Sequence, residues 1–199
     1  HETIEPVARA LVGFASRPER DPADAPRFVR FFRLYAGRFH HGRGEGVLFR
    51  ALVQETGVAE DSGPLRTLLG DHRELEARLD ELDAAFAGER DPRDVAVRYV
   101  TTLLHHIDAE SSVLFPECET RFRRASVIDL DARAPDDEER AASGDALELV
   151  ARYGAPDVPG VLRGEACVCC PAYGVTCDGV EREWSTDAER EDMIERVGS

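Results

Sequence analysis

Apolar side chains recur every three or four positions in four stretches of the chain, the spacing that places them on one face of a helix. The clearest stripe lies in the third stretch and consists of Leu65, Leu68, His72, Leu75, Leu79, Leu82 and Phe86. Similar spacing occupies residues 1–15 and about 26–56. Asp91 and Pro92 supply an N-cap and a first-turn proline, so a fourth helix is expected to run from there to about Arg124.

The segments between these four predicted helices are short and polar, and no stretch alternates apolar and polar residues as a half-buried strand does. Helices of this kind bury their apolar faces against one another, and short connections make neighbouring helices antiparallel. The pattern therefore predicts an all-α protein in which residues 1–126 form an antiparallel up-down four-helix bundle.

The character of the sequence changes after residue 126. Residues 129–140 are rich in arginine and aspartate, which we interpret as an exposed linker. A short helix is predicted over 145–153, and a charged terminal helix over 186–197. Residues 127–199 are thus predicted to form an acidic linker and a small cysteine-rich C-terminal extension.

The formal net charge is −15, and arginine supplies every basic side chain because the sequence has no lysine. Nucleic-acid phosphates would be repelled by such a surface, so we expect no nucleic-acid partner. The longest apolar runs are only a few residues, which argues against a membrane span. All five cysteines lie after residue 117. A secreted disulfide scaffold would spread them along the chain, so a reducing, cytoplasmic location is predicted.

All six histidines lie on the four predicted helices, and helical phase separates those that are adjacent in sequence. His72 sits within the leucine stripe, so its imidazole must face the core. His106 and Glu110 are four residues apart and share a face, whereas His105 points away from it.

On the second helix, His40 continues the row formed by Phe32 and Ala36. His41 is turned about 100° further round a regular helix, and we expect it to face solvent or to support a ligand rather than act as one. A bundle that collects histidines from separate helices is typical of a transition-metal site, because neutral imidazole binds such cations and unpaired buried imidazoles would be costly.

Four motifs occur in order along the chain: HETIE, HHGRGEGVLF, GDHRELEARL and HHIDAESSVLFPE. Together they resemble the hemerythrin-like (HHE cation-binding) family over about residues 1–125. The resemblance implies a non-haem centre of two iron ions that binds dioxygen, peroxide or nitric oxide. It also implies metal ligation by His1, His40, His72, His106 and Glu110.

The second helix departs from the family pattern, because Gly44 stands where the family has a glutamate. Glu45 follows one residue later, and a local bulge could bring it, or the His41–Glu45 pair, to the metal. Alternatively, Glu5 could substitute from the first helix, or water or an exogenous ligand could fill the position. We favour Glu45 as the sixth ligand. Tyr99, two turns before His106, is either an additional metal-facing group or a core residue, and core packing is the commoner role.

The remaining chemistry lies in the tail. Cys167, Cys169, Cys170 and Cys177 could hold a second metal or act as a redox site, although their spacing is not that of a zinc knuckle. Cys118 is predicted to be a small buried filler. The leading hypothesis is a di-iron protein that handles oxygen, peroxide or nitric oxide. The alternatives are an iron or redox sensor whose tail docks a protein partner, and a structural bundle with a single metal.

Overall fold

The structure, a computed structural model, describes residues 1–60 and 63–158, and this part of the chain is helical without any strand. The prediction of an all-α protein is confirmed. The α-helices are α1 (Ile4–Ala15), α2 (Ala25–Phe31), α3 (Arg50–Thr56), α4 (Gly63–Ala84), α5 (Pro92–Ala109), α6 (Phe115–Ala125) and α7 (Asp137–Tyr153).

Four stretches between or after these helices are π-helical, namely Phe32–His41, Gly44–Phe49, Ala85–Glu89 and Glu110–Leu114. A π-helix bonds residue i to i+5 and is usually short, so such stretches change which side chains share a face. The second and fourth predicted helices are therefore helical throughout but not regular. That irregularity matters because three of these stretches, Phe32–His41, Gly44–Phe49 and Glu110–Leu114, carry candidate ligands.

The described residues fall into two compact units. The first unit comprises residues 1–43, 71–107 and 133–158, and the second comprises residues 44–60, 63–70 and 108–132. Each has its own set of buried apolar side chains. The arrangement of four antiparallel helices stays a prediction.

Aromatic rings fill much of the core of the first unit. The ring centroid of Phe14 on α1 lies 5.3 Å from that of Phe28 and 5.0 Å from that of Tyr153. Contacts at these distances bury large apolar area and favour tilted or edge-on ring pairs. They tie α1, α2 and α7 together.

Helix α7 corrects the interpretation of residues 129–140 as a linker. The helix begins at Asp137, eight residues before the short helix predicted there, whereas residues 129–136 are not helical. Asp136 caps it: its carboxylate accepts the Glu139 backbone N–H, and the Glu139 carboxylate accepts the Asp136 N–H in return. Acidic side chains stabilise the N-terminus of a helix by interacting with its dipole and its free N–H groups. The end of the acidic run that we interpreted as a linker therefore forms the first turn of α7.

Helix α7 packs against α1, α2 and the Phe32–His41 stretch through Ala142, Ala146, Leu149 and Tyr153. Ion pairs add to this apolar contact. The Glu139 carboxylate is completely buried and accepts hydrogen bonds from Arg133 at 2.6 and 2.7 Å and from Arg38 at 3.0 Å. These bonds, the Arg133 pair first among them, lower the pKa of Glu139 from its ordinary value of 4.5 to about 2.

The second unit has a smaller core, formed by Phe49, Leu52, Val58, Leu65, Leu68, Ala109, Leu114 and Cys118. Helix α3 packs against α6 there. Cys118 is buried as predicted, and burial raises the pKa of its thiol to about 12. Such a thiol stays protonated at neutral pH and is a poor nucleophile.

Within residues 1–60 and 63–158, no helix combines the length and the apolar character that crossing a bilayer requires. The cysteines at 167, 169, 170 and 177 and the terminal helix predicted over 186–197 lie outside the described residues.

Candidate metal centre

Three histidines of the first unit meet in its interior. His41 ends the Phe32–His41 stretch, His72 lies on α4 and His106 lies on α5. One ring nitrogen from each lies within 4.8 Å of the others, and the exposed fractions of the three residues are 7%, 4% and 0%. Three separate helical segments thus direct imidazoles into one buried volume.

The Nε2 atoms of His72 and His106 are 3.1 Å apart. Two imidazole nitrogens that each lie about 2.1 Å from one cation are separated by about 3.0 to 3.4 Å at octahedral or tetrahedral angles. The ring of His41 stacks on that of His72, with centroids 4.0 Å apart and an angle of 12° between the planes. The pair has the spacing of ligands on a shared ion, and a third donor is adjacent.

Asp71 lies behind one of these imidazoles. Its Oδ2 is 3.3 Å from Nδ1 of His106, and its side chain is mostly buried. A neutral imidazole that donates its Nδ1–H to a carboxylate presents the lone pair of Nε2 on the opposite side of the ring. The contact therefore orients His106 so that Nε2, the atom nearest His72, can bind a cation.

The expected role of His41 needs correction. We expected His41 to face solvent or to lie behind a ligand, but the structure buries it, with its ring stacked on that of His72 and nearly perpendicular to that of His106. His40 is only half-buried. The reason is the π-helical stretch, in which position i+5 takes the place of i+4. His41 is five residues after the buried Ala36, and it takes the inward place that a regular helix would give His40.

His40 has a different neighbour in the first unit. Its ring centroid lies 4.8 Å from that of His1, with the rings nearly perpendicular, and both residues are half-buried. The structure thus brings together two predicted ligands, His1 and His40, and separately two others, His72 and His106. Ligation by His1 and His40 stays a prediction.

The predicted carboxylate ligands lie in the second unit. Glu110 is buried and opens the Glu110–Leu114 stretch, four residues after His106 in the chain. Glu45 is exposed, within the Gly44–Phe49 stretch. Their role as ligands stays a prediction. Glu5, the alternative carboxylate, forms an ion pair with Arg9, whose Nη2 lies 3.0 Å from the Oε1 atom of Glu5.

Tyr99 belongs to the aromatic core of the first unit. Its ring centroid lies 5.1 Å from that of Phe32, and burial raises its pKa far above the usual value. The hydroxyl therefore remains protonated at neutral pH. These contacts favour the packing role over the metal-facing one.

Asp71 escaped the sequence analysis, although it directly precedes the core histidine His72. His41 entered that analysis only as part of a His41–Glu45 pair, which has the spacing also shown by His106 and Glu110.

The donor set fits a first-row transition metal. Three imidazoles in a buried site, one of them oriented by a carboxylate, suit a borderline cation better than calcium or magnesium, which prefer oxygen ligands. The burial also restricts the access of water to such an ion.

Comparison with known proteins agrees with this geometry. A family model described as the Hemerythrin HHE cation binding domain matches residues 1–118, which contain all six histidines. No curated protein and no solved structure matched the chain. Because the family match covers more than half of the sequence, the protein belongs to the hemerythrin HHE cation-binding family, whose helical bundles bind metal cations.

Proposed function

We propose that this protein holds a non-haem iron centre, of two ions, that binds or reacts with dioxygen, peroxide or nitric oxide. The observation that carries the proposal is the meeting of His41, His72 and His106, whose ring nitrogens lie within 4.8 Å of one another in the interior of the first unit. Iron bound there would supply redox chemistry and open coordination positions for a small molecule.

The protein's own groups have separate tasks in this proposal. The imidazoles of His41, His72 and His106 hold one ion, and their low exposure keeps bulk water away from it. Asp71 keeps the proton of His106 on Nδ1, so that the lone pair of Nε2 remains available to bind the ion. A mostly imidazole shell suits ferrous iron that must take up a diatomic molecule and release it.

The proposal of a second ion is based on the family resemblance. We propose His1, His40, Glu45 and Glu110 as its ligand candidates, because they occupy or adjoin the positions of the family motifs. Since Gly44 replaces the family's glutamate, the number of ions is the most informative quantity to measure. A protein with a single ion and no reaction with small molecules would instead be a structural bundle.

The test begins with anaerobic reconstitution by ferrous iron, followed by desalting and elemental analysis. We expect about two iron ions per chain in the wild type, by the ligand count of carboxylate–histidine bundles. His72→Ala should lose most of the bound iron, whereas His105→Ala, the matched control, should retain it.

Reactivity is measured on the same samples. Addition of oxygen, nitric oxide or hydrogen peroxide to the ferrous protein should produce a new visible absorption band or consume the peroxide, and His72→Ala should abolish both effects. If the wild type retains no iron, or if His72→Ala retains as much as the wild type, the proposal is wrong. Iron retention without any reaction would favour a sensing role.

A further inference from the structure

The first unit contains a cavity that is lined by residues outside the histidine cluster. It is open to solvent on one side, has a volume of about 780 Å³ and is bordered by α1, by α5 and by the residues that end and follow α7. Pockets that bind small organic molecules have volumes of about 300 to 1,000 Å³. The cavity is therefore large enough for a molecule of that kind.

Part of its wall is apolar. Val12, Val97, Tyr153 and Pro156 provide this surface. Gly13 makes the arrangement sterically feasible, because a Cβ there would lie 2.9 Å from the carbonyl oxygen of Tyr153. Without a side chain at Gly13, the end of α7 can lie directly against α1 and close that side of the cavity.

The rest of the wall carries charged side chains, three arginines and two aspartates. Three arginines line the cavity, namely Arg17, Arg93 and Arg98. The guanidinium of Arg17 lies over the ring of Tyr153, 4.9 Å from its centroid, and donates to the Arg152 carbonyl oxygen at 3.4 Å. A contact of this kind holds the guanidinium in place without neutralising its charge.

Arg93 and Arg98 differ from most arginines of the first unit. Within the described part of the chain, their guanidinium groups have no carboxylate at ion-pair distance, whereas nine other arginines of the unit do: Arg9, Arg27, Arg30, Arg33, Arg38, Arg78, Arg133, Arg140 and Arg152. Of the two aspartates that line the cavity, Asp157 is engaged by Arg9 at 3.2 Å. Asp94 is the other.

The cavity lining carries three arginines against two aspartates, one of which is already paired with Arg9, so it has a surplus of positive charge on a chain whose net charge is −15. An anion would be repelled by most of this protein and attracted here, where apolar surface lies beside the guanidinium groups. We propose that this cavity binds an organic anion with an apolar body, such as an aryl or acyl carboxylate or sulfonate, whose acidic group contacts Arg93 and Arg98.

This proposal does not rest on the iron centre. Tyr153, Pro156 and Asp157 lie beyond residue 118, where the family match ends. The cavity is therefore a feature that helix α7 adds to the family domain. It can be tested on the metal-free protein.

The experiment uses isothermal titration calorimetry with two probes of similar shape, naphthalene-1-sulfonate and the neutral 1-naphthalenemethanol. We expect saturable binding of one sulfonate per chain and much weaker binding of the alcohol. Arg93→Gln/Arg98→Gln should weaken sulfonate binding by roughly tenfold or more, because two charge-assisted contacts are lost. Val97→Phe, which fills the cavity without changing charge, should weaken the binding of the sulfonate as well.

The matched control is Arg66→Gln/Arg124→Gln, which makes the same change in net charge at two exposed arginines of the second unit. It should leave the affinity for sulfonate within about twofold. Circular dichroism and thermal midpoints verify that each variant is folded. Absence of saturable binding, equal affinity for the neutral alcohol, or an equal loss in the control would each overturn the proposal.

Discussion

The Oδ2 atom of Asp71 lies 3.3 Å from Nδ1 of His106, on the side of the imidazole opposite the nitrogen that approaches His72. A carboxylate in that place fixes the ring orientation and its tautomer, and it raises the basicity of the other nitrogen. We therefore expect Asp71 to act as a positioning residue for any cation that His106 binds.

Asp71→Asn should lower the affinity for ferrous iron by about 10- to 100-fold, the usual consequence of losing a carboxylate behind a metal-bound histidine. Nitrogen-15 NMR of the metal-free protein provides a readout that a purely structural role would not change. In the wild type His106 should carry its proton on Nδ1, and in Asp71→Asn the Nε2–H tautomer should increase. Glu76→Gln, at an exposed position of the same helix, should change neither quantity.

His41→Ala should reduce iron affinity more than Asp71→Asn does, because a donor is removed rather than the group that orients one. His105→Ala provides the comparison, since it deletes an imidazole from the neighbouring position of the His106 motif. Anaerobic titration with ferrous iron, followed by elemental analysis, measures the iron affinity and iron content of the His41→Ala and His105→Ala variants. Equal iron retention in His41→Ala and the wild type would remove His41 from the proposed shell.

Much of the fold could be predicted from periodicity. The leucine stripe of α4 is buried at Leu65, Leu68, Leu75, Leu79 and Leu82, and His72 within it is buried too. His106 is likewise buried, next to His72. These positions lie on regular α-helix, where 100° per residue is a good guide to which side chains face inward.

The errors have specific physical causes. The expectation that His41 faces solvent or lies behind a ligand was wrong because a π-helical stretch shifts the register by one position, and whether such a stretch forms depends on tertiary packing. The extent of α7 was missed because Ala142 and Ala146 contribute little hydrophobic signal although both are buried, and because its acidic first turn looks like solvent-exposed linker.

Glu139→Gln should destabilise the protein by about 1–2 kcal/mol at pH 7, since it removes a buried charge bonded to two partly exposed arginines. The folded-state pKa of Glu139 is about 2, below the ordinary 4.5. Its contribution is therefore present above about pH 4.5 and is lost as the pH falls towards 2. Urea unfolding at several pH values should show the variant and the wild type converging across that range.

Glu138→Gln is the control for that experiment. Glu138 pairs with the same Arg38 but is 67% exposed, so its replacement should cost no more than about 0.5 kcal/mol. A cost as large as that of Glu139→Gln would mean that exposure of the carboxylate does not govern the strength of these pairs.

The docking of α7 can be tested by two substitutions two residues apart. Leu149 is completely buried, and Leu149→Ala should lower the free energy of unfolding by about 2–5 kcal/mol through lost apolar contact and the cavity that remains. Leu147 is 56% exposed on the same helix, so Leu147→Ala should change stability by less than about 0.5 kcal/mol. Both variants replace leucine by alanine in the same helix, so they change helix propensity equally. The difference between their free energies of unfolding, measured by chemical denaturation, therefore reports the packing contribution. Equal costs would mean that α7 does not pack against α1 and α2 in solution, and the anion cavity that depends on Tyr153 would then lose one of its walls.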